Sequence, residues 1–263
     1  MNILFVGDIV GAPGRQAARQ LLPGLRREFD ADLVLANGEN AAGGIGLTPE
    51  VAEELFSCGI DVLTTGNHVW DKKEILPALE KDVRLLRPAN YPEGAPGRGS
   101  ALVAARNGEA VGVINLSGRV FFPTHLDCPF RSARQELEAL SGRARVIIVD
   151  LHAEATSEKV AMGWFLAGRV TAVVGTHTHV QTADARVLPG GTAYITDVGM
   201  TGPTDSVIGI KTELVLERFQ SQRPVRFEVA RGAVHLSAVV VEADSQGRAL
   251  SIHSLTRPVP GTG

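Results

Sequence analysis

Five short apolar runs in this chain each end at a polar residue able to hold a cation, and no other feature constrains the fold as strongly. Residues 2–7 lead to Asp8, 32–37 to Glu39, 60–66 to Asn67 and His68, 145–151 to His152, and 170–174 to His177. Apolar runs this short, bounded by glycine and polar residues, read as buried strands. Helical patterns lie between them; Ala17, Ala18, Leu21, Leu22, Leu25 and Phe29 follow a 3.6-residue stripe after a loop at 11–14. Hairpin-like pairs follow at 101–105 with 110–116, and further runs lie at 194–196, 225–229 and 234–241. This mixture predicts an α/β fold, a layered sandwich of mixed β-sheets flanked by helices. Open sheets of this kind gather ligands beyond the carboxyl ends of their strands, so the five strand ends predict one polar site along one edge.

Local punctuation adds detail. Pro23-Gly24 should kink or interrupt the first helix. Thr48-Pro49-Glu50 supplies a hydroxyl cap and a proline at the first helical position, opening a helix that runs to Gly59. Further helices are expected at 74–79, 132–140 and 157–166, with a long surface connection over 87–100. With 263 residues and 44% hydrophobic side chains, the chain is expected to form a single domain over 1–263. A net charge of -3 offers no basic face for duplex nucleic acid. Cys58 and Cys128 form no Cys-x-x-Cys pair and read as small buried apolar residues in a reducing compartment. The apolar start is cut off by Asp8, and no run approaches the ~20 residues of a membrane span, so a soluble, cytoplasmic protein is expected.

His177 and His179 stand two apart after an apolar run. On a strand, residues so spaced share one side about 6 to 7 Å apart. Because a histidine nitrogen sits ~2 Å from its metal and paired ions lie ~3.5 to 4 Å apart, the two rings suit two neighbouring ions better than one. Singly, each residue has an ordinary explanation: Asp8 could cap a turn, Glu39 could face solvent, and His68 or His152 could meet a backbone carbonyl. Jointly, two carboxylates, an amide and several imidazoles form a mixed oxygen and nitrogen set. That set suits zinc, manganese, iron or nickel better than calcium or magnesium.

Gly7-Asp8, Gly38-Glu39-Asn40, Gly66-Asn67-His68, the lone His152 and Gly175-Thr176-His177-Thr178-His179 resemble, in order, the five blocks of the calcineurin-like metallophosphoesterase superfamily, as far as about Gly209. More narrowly, residues 7–11, 37–41, 152–159 and 196–202 resemble a bacterial branch described as cyclic-nucleotide phosphodiesterases, including 2′,3′-cyclic-nucleotide 2′-phosphodiesterases. The resemblance implies two metal ions at the C-terminal strand ends. One would be held by Asp8, Glu39, Asn40 and His179, the other by Glu39, Asn67, His152 and His177. Iron is the branch expectation, with manganese or zinc as alternatives. It also implies attack by a metal-bound hydroxide on a small cyclic nucleotide, with His68 as general acid and a 3′-phosphate as product; assembly into a homo-oligomer is left open. Two departures stand out. Val10 occupies the third position of the usual Asp-x-His block, and Glu39 stands where an Asp usually bridges the metals.

Charge counting fits a diester: two dications bring about +4, Asp8 and Glu39 about -2, and the remainder suits a nucleophilic hydroxide with a phosphodiester monoanion. The alternatives are a phosphatase, another nucleotide phosphodiesterase, or a metal-dependent regulator that binds a nucleotide or RNA end. The glycine series Gly7-x-x-x-Gly11-x-x-Gly14 departs from the Gly-x-Gly-x-x-Gly spacing of dinucleotide sites. The glycine-rich segments 42–46 and 198–202 are candidate substrate walls.

Overall fold

The computed structural model describes residues 1–123 and 125–262. Its first sheet is built on parallel neighbours β1 (Asn2–Val6), β3 (Leu33–Asn37) and β4 (Val62–Thr64). On the other side of β1 lies antiparallel β12 (Val234–Ala243), with Phe5 opposite Val239. β12 also pairs with β13 (Ala249–Pro258) and with β11 (Met200–Pro203), which in turn carries β2 (Asp8–Ile9). The second sheet runs β5 (Ser100–Ala104), β6 (Ala110–Ser117), β7 (Val146–His152), β8 (Ala172–Thr176), β10 (Thr192–Ile195), β9 (Arg186–Leu188), with parallel pairing from β6 to β10.

Strand alternation builds the layers. Ile3, Phe5, Leu33 and Leu35 point inward and meet Val113, Ile148, Val174 and Ile195 of the second sheet in one buried layer. The residues between them, Leu4, Val6 and Val34, point outward onto Leu22 and Leu25 of α1 (Gly11–Glu28) and Leu55 of α2 (Pro49–Ser57). On the far side, Ile147, Val149 and Val173 pack against Leu140 of α4 (Pro129–Leu140) and Met162 and Leu166 of α5 (Thr156–Leu166). A short 3-10 turn (Lys73–Ile75) leads into α3 (Leu76–Lys81), and α6 (Thr212–Ser221) lies late in the chain. With both sheet faces covered, these strands are apolar throughout, which is why they read so clearly.

Several expectations need correction. Pro23 lies inside an uninterrupted α1. Both Pro23 and Arg19, whose carbonyl loses its helical donor, are exposed, so water can replace that bond. Residues 11–14 open α1 instead of forming a loop. Gly7 and Gly14 press on β11 and the residue before it: an added Cβ would lie 1.9 Å from the Gly199 carbonyl oxygen and 2.4 Å from that of Thr201. The glycine series therefore serves packing. Segment 225–229 forms no strand, only a single bridge from Val229 to Ile210. The connection at 87–100 is not all surface, since Arg87 and Asn90 are buried. Cys58 is buried but Cys128 is only half-buried, both as free thiols. Among the described residues, no helix is long and apolar enough to cross a membrane.

Candidate metal centre

All eight residues singled out in the sequence come to the same edge. Asp8 begins β2, Glu39 and Asn40 follow β3, Asn67 and His68 follow β4, His152 ends β7, and His177 and His179 follow β8. The closest gathering surrounds the His152 Nε2 atom. It lies 2.9 Å from Glu39 Oε1, 3.1 Å from Asn67 Oδ1 and 3.0 Å from His177 Nδ1. The other ring nitrogen, Nδ1, is 2.9 Å from the Thr176 hydroxyl, which donates to Asp150 Oδ1 at 2.8 Å. Asp150 also accepts from Thr64 at 2.5 Å and from the Asn37 amide at 3.3 Å. Such a chain keeps the proton on Nδ1 and turns the Nε2 lone pair toward the crowd, the orientation a metal-binding imidazole needs.

Three acceptors facing one nitrogen pose an electrostatic problem that a proton solves only partly. Burial pulls the His152 pKa down, but the carboxylates of Glu39, Asp8 and Asp150 outweigh it and push it up to about 9. Glu39 shows the counterpart: burial raises its pKa, yet the His152 charge and hydrogen bond bring it down to about 2. His177 is driven down to about 3 by burial and then by the His152 charge. One Nε2 proton can bond only one of three partners, whereas a cation among these atoms would bond all four. Gly66 preserves the space, since an added Cβ would lie 2.1 Å from the His152 ring and 2.2 Å from the Glu39 carboxylate.

A second gathering lies beside the first. Asp8 is fully buried; its Oδ2 accepts from the His177 backbone N–H at 3.2 Å, while Oδ1 has no hydrogen-bond partner among the described residues. His179 Nε2 lies 3.9 Å from that orphan oxygen and 3.4 Å from Asn40 Oδ1. Burial raises the Asp8 pKa, a cost that a bound cation would reverse. An unpartnered buried oxygen, an amide oxygen and an imidazole nitrogen form the donor chemistry of a cation site.

The histidines reach their places by a turn, not by strand alternation as their spacing predicts. His177 and His179 have φ values of 99° and 65°, left-handed conformations unusual for side chains of this size. Thr178 between them is held by Asp197 Oδ2, which accepts its N–H at 3.1 Å and its hydroxyl at 2.7 Å. Lys159, as buried as Asp197, donates to the same carboxylate at 2.8 Å. His179 Nδ1 donates to the Ile208 carbonyl at 3.0 Å, leaving Nε2 toward Asp8. His177 Nε2 meets Glu154 at 3.0 Å, and Phe122 packs edgewise on the His177 ring at 4.8 Å.

His68 differs from the others. Its backbone N–H donates to Glu39 Oε2 at 3.3 Å, but its ring is partly exposed, with Nδ1 2.6 Å from Asp71. Together with Glu39, Asn40, Glu154, His177 and His179 it lines a cleft of about 590 Å³. Gly43 and Gly44 line this cleft too, whereas most of 198–202 is spent on β11. Asp150, Asp71, Glu154 and Asp197 escaped the sequence reading as site residues. For Asp150 the sequence carries a signal, since it is the one carboxylate inside the apolar run 145–151.

Relatives share this framework. The YmdB-like protein family matches residues 4–255. A protein of Bacillus subtilis (strain 168) named 2′,3′-cyclic-nucleotide 2′-phosphodiesterase is 52% identical over 246 residues, covering 94% of this chain and 92% of the relative. The crystal structure of a hypothetical protein from Thermus thermophilus superposes with a TM-score of 0.93 at 43% identity, covering 99% of this chain and 100% of the other. A Mycoplasma pneumoniae structure described as a novel phosphatase gives 0.92 at 34% identity, covering 98% and 93%. Built on a metallophosphoesterase fold and matched along nearly its whole length, the chain belongs to the YmdB-like protein family.

Proposed function

We propose that this chain is a phosphodiesterase dependent on two metal ions, which opens 2′,3′-cyclic nucleotides at the 2′ oxygen to leave 3′-phosphates. The observation that carries the reading is the convergence of Glu39, Asn67 and His177 on His152 Nε2, beside the unpartnered oxygen of Asp8. The name of the Bacillus subtilis relative supports the substrate class. Asp8, Glu39, Asn40 and His179 would hold one ion, and Glu39, Asn67, His152 and His177 the other. The donor set suits iron, manganese or zinc, with iron the first expectation. When bound, such a pair supplies electrophilic pull on the phosphoryl oxygens and makes the attacking water more acidic.

The protein's own share is orientation and one proton. Asp71 holds Nδ1 of His68, leaving Nε2 as the nitrogen that serves the cleft. Water adds to phosphorus and loses a proton to solvent, the bond to the 2′ oxygen breaks, and His68 gives that oxygen a proton while Asp71 steadies the ring. The test is metal analysis of purified protein followed by rates on cyclic nucleotides and phosphate monoesters. Two ions per chain, a higher kcat/KM for 2′,3′-cyclic nucleotides and a 3′-phosphate product are expected. Equal or faster monoester hydrolysis would make the protein a phosphatase instead.

A further inference from the structure

The cleft above Glu39, His68 and His179 has a second, apolar side. Ile45, Ile208, Ile210 and Phe227 line the same cavity of about 590 Å³, within the ~300 to 1,000 Å³ range of small-molecule sites. Ile45, Ile208 and Phe227 are 41%, 49% and 44% exposed, so this wall faces water when the cleft is empty. A phosphate group gains nothing from such a surface.

Two observations show that the wall is built, not incidental. Ile208 has φ of 45°, a conformation that strains a β-branched residue and persists only where its surroundings impose it. The surroundings do so: Val207 and Ile210 exchange backbone hydrogen bonds of 2.9 and 3.0 Å, and Gly209 N–H donates to Ser206 Oγ at 2.9 Å. From this strained position the Ile208 carbonyl orients His179 while the residue lines the cleft. One residue thus couples the wall to the candidate metal centre. Phe227 carries the Arg218 guanidinium 5.8 Å from its ring centroid, and its neighbour Glu228 is paired with Lys211 at 2.6 Å.

We propose that this wall seats the nucleobase, with Phe227 as the face on which the base lies. The inference rests on the cyclic-nucleotide phosphodiesterase reading and adds to it the surface that recognises the base, so that base-free sugar or glycerol diesters are disfavoured. The four wall side chains carry no hydrogen-bonding group, so they would select flat apolar area, purine over pyrimidine, and not a particular base edge.

The test compares adenosine 2′,3′-cyclic phosphate with the base-free 1-O-methylribose 2′,3′-cyclic phosphate. In Phe227→Ala the kcat/KM ratio of the adenosine compound to the base-free one should fall roughly 5- to 150-fold, the scale of one lost base stack. The loss should lie in KM, and Phe227→Trp should restore the ratio. Phe219→Ala, an exposed aromatic outside the cleft, should leave it alone. Calorimetric titration of metal-loaded protein with adenosine 3′-monophosphate gives a reading independent of turnover, and binding should weaken by a similar factor in Phe227→Ala. An unchanged ratio, with both substrates lost together or neither affected, would overturn the seat, as would unchanged nucleotide binding. If the wild type opens neither cyclic phosphate, the phosphodiesterase reading fails, and the titration alone then decides the seat.

Discussion

Glu39, Asn67 and His177 all approach one nitrogen of His152, within 2.9 to 3.1 Å. Without metal that nitrogen keeps its proton up to about pH 9. A metal must therefore displace a proton at any lower pH. Apparent affinity should rise about tenfold per pH unit below that value and level off above it. Metal titrations between roughly pH 6 and 8, repeated in buffers of different ionisation enthalpy, count the released proton; affinity that is flat over this range would contradict the arrangement. Asn67 and His68 should separate binding from chemistry. Asn67→Ala should weaken one ion, with partial rescue by excess metal. His68→Ala should keep both ions yet lower kcat by ~10² to 10⁴, less on a nitrophenyl diester whose leaving oxygen departs without a proton. If His68→Ala loses metal as Asn67→Ala does, the general-acid role is wrong. Asp8, Glu39 and His152 could be picked out from sequence because each ends an apolar run. Asp150 could not be paired that way, since its partners Thr64 and Asn37 lie 86 and 113 residues away.

Among the elements, the turn after β8 depends most on support from elsewhere. Its two left-handed histidines flank Thr178, which Asp197 holds with the help of buried Lys159. Removing one partner of a buried ion pair costs roughly 3 to 5 kcal/mol. Lys159→Met should fall near the lower end, because Asp197 keeps the Thr178 and Gly199 N–H donors. Urea unfolding of the metal-free protein should show a lower midpoint at unchanged slope, and metal content should drop as the turn loosens. A variant with full metal content would remove the pair from any positioning role. Buried parallel strands were legible because both faces are covered. β13 was not, because only Ala249, Ile252 and Leu255 are buried and the polar residues around them, among them exposed His253, Ser254 and Thr256, break the apolar run. The reverse error at 225–229 came from residues with other work, since Phe227 lines the cleft and Val229 makes a single bridge.

At the scale of the whole molecule, the polar edge joins the two sheets. Asp8 and Glu39 come from the first and His152 and His177 from the second, so a cation among them would bond both sheets. Ions held by both sides would stabilise the folded state by about 4 kcal/mol at free metal ~1,000-fold above Kd. In a chain of this size that is a Tm higher by roughly 8 to 16 °C. Calorimetric scans before and after chelation measure it, and an unchanged Tm would mean the edge does not hold metal tightly. The strand order has a further consequence. β12 fills the place between β1 and β11, so the edge of the first strand made is closed by nearly the last. On the ribosome, at ~5 to 20 residues per second, β1 waits roughly 10 to 50 s for that partner. A chain truncated after Gly232 should be recovered aggregated, and a cooperative unfolding transition from it would refute this. The protein's period of greatest vulnerability is its own synthesis, when an apolar strand with an open edge must be shielded from other nascent chains.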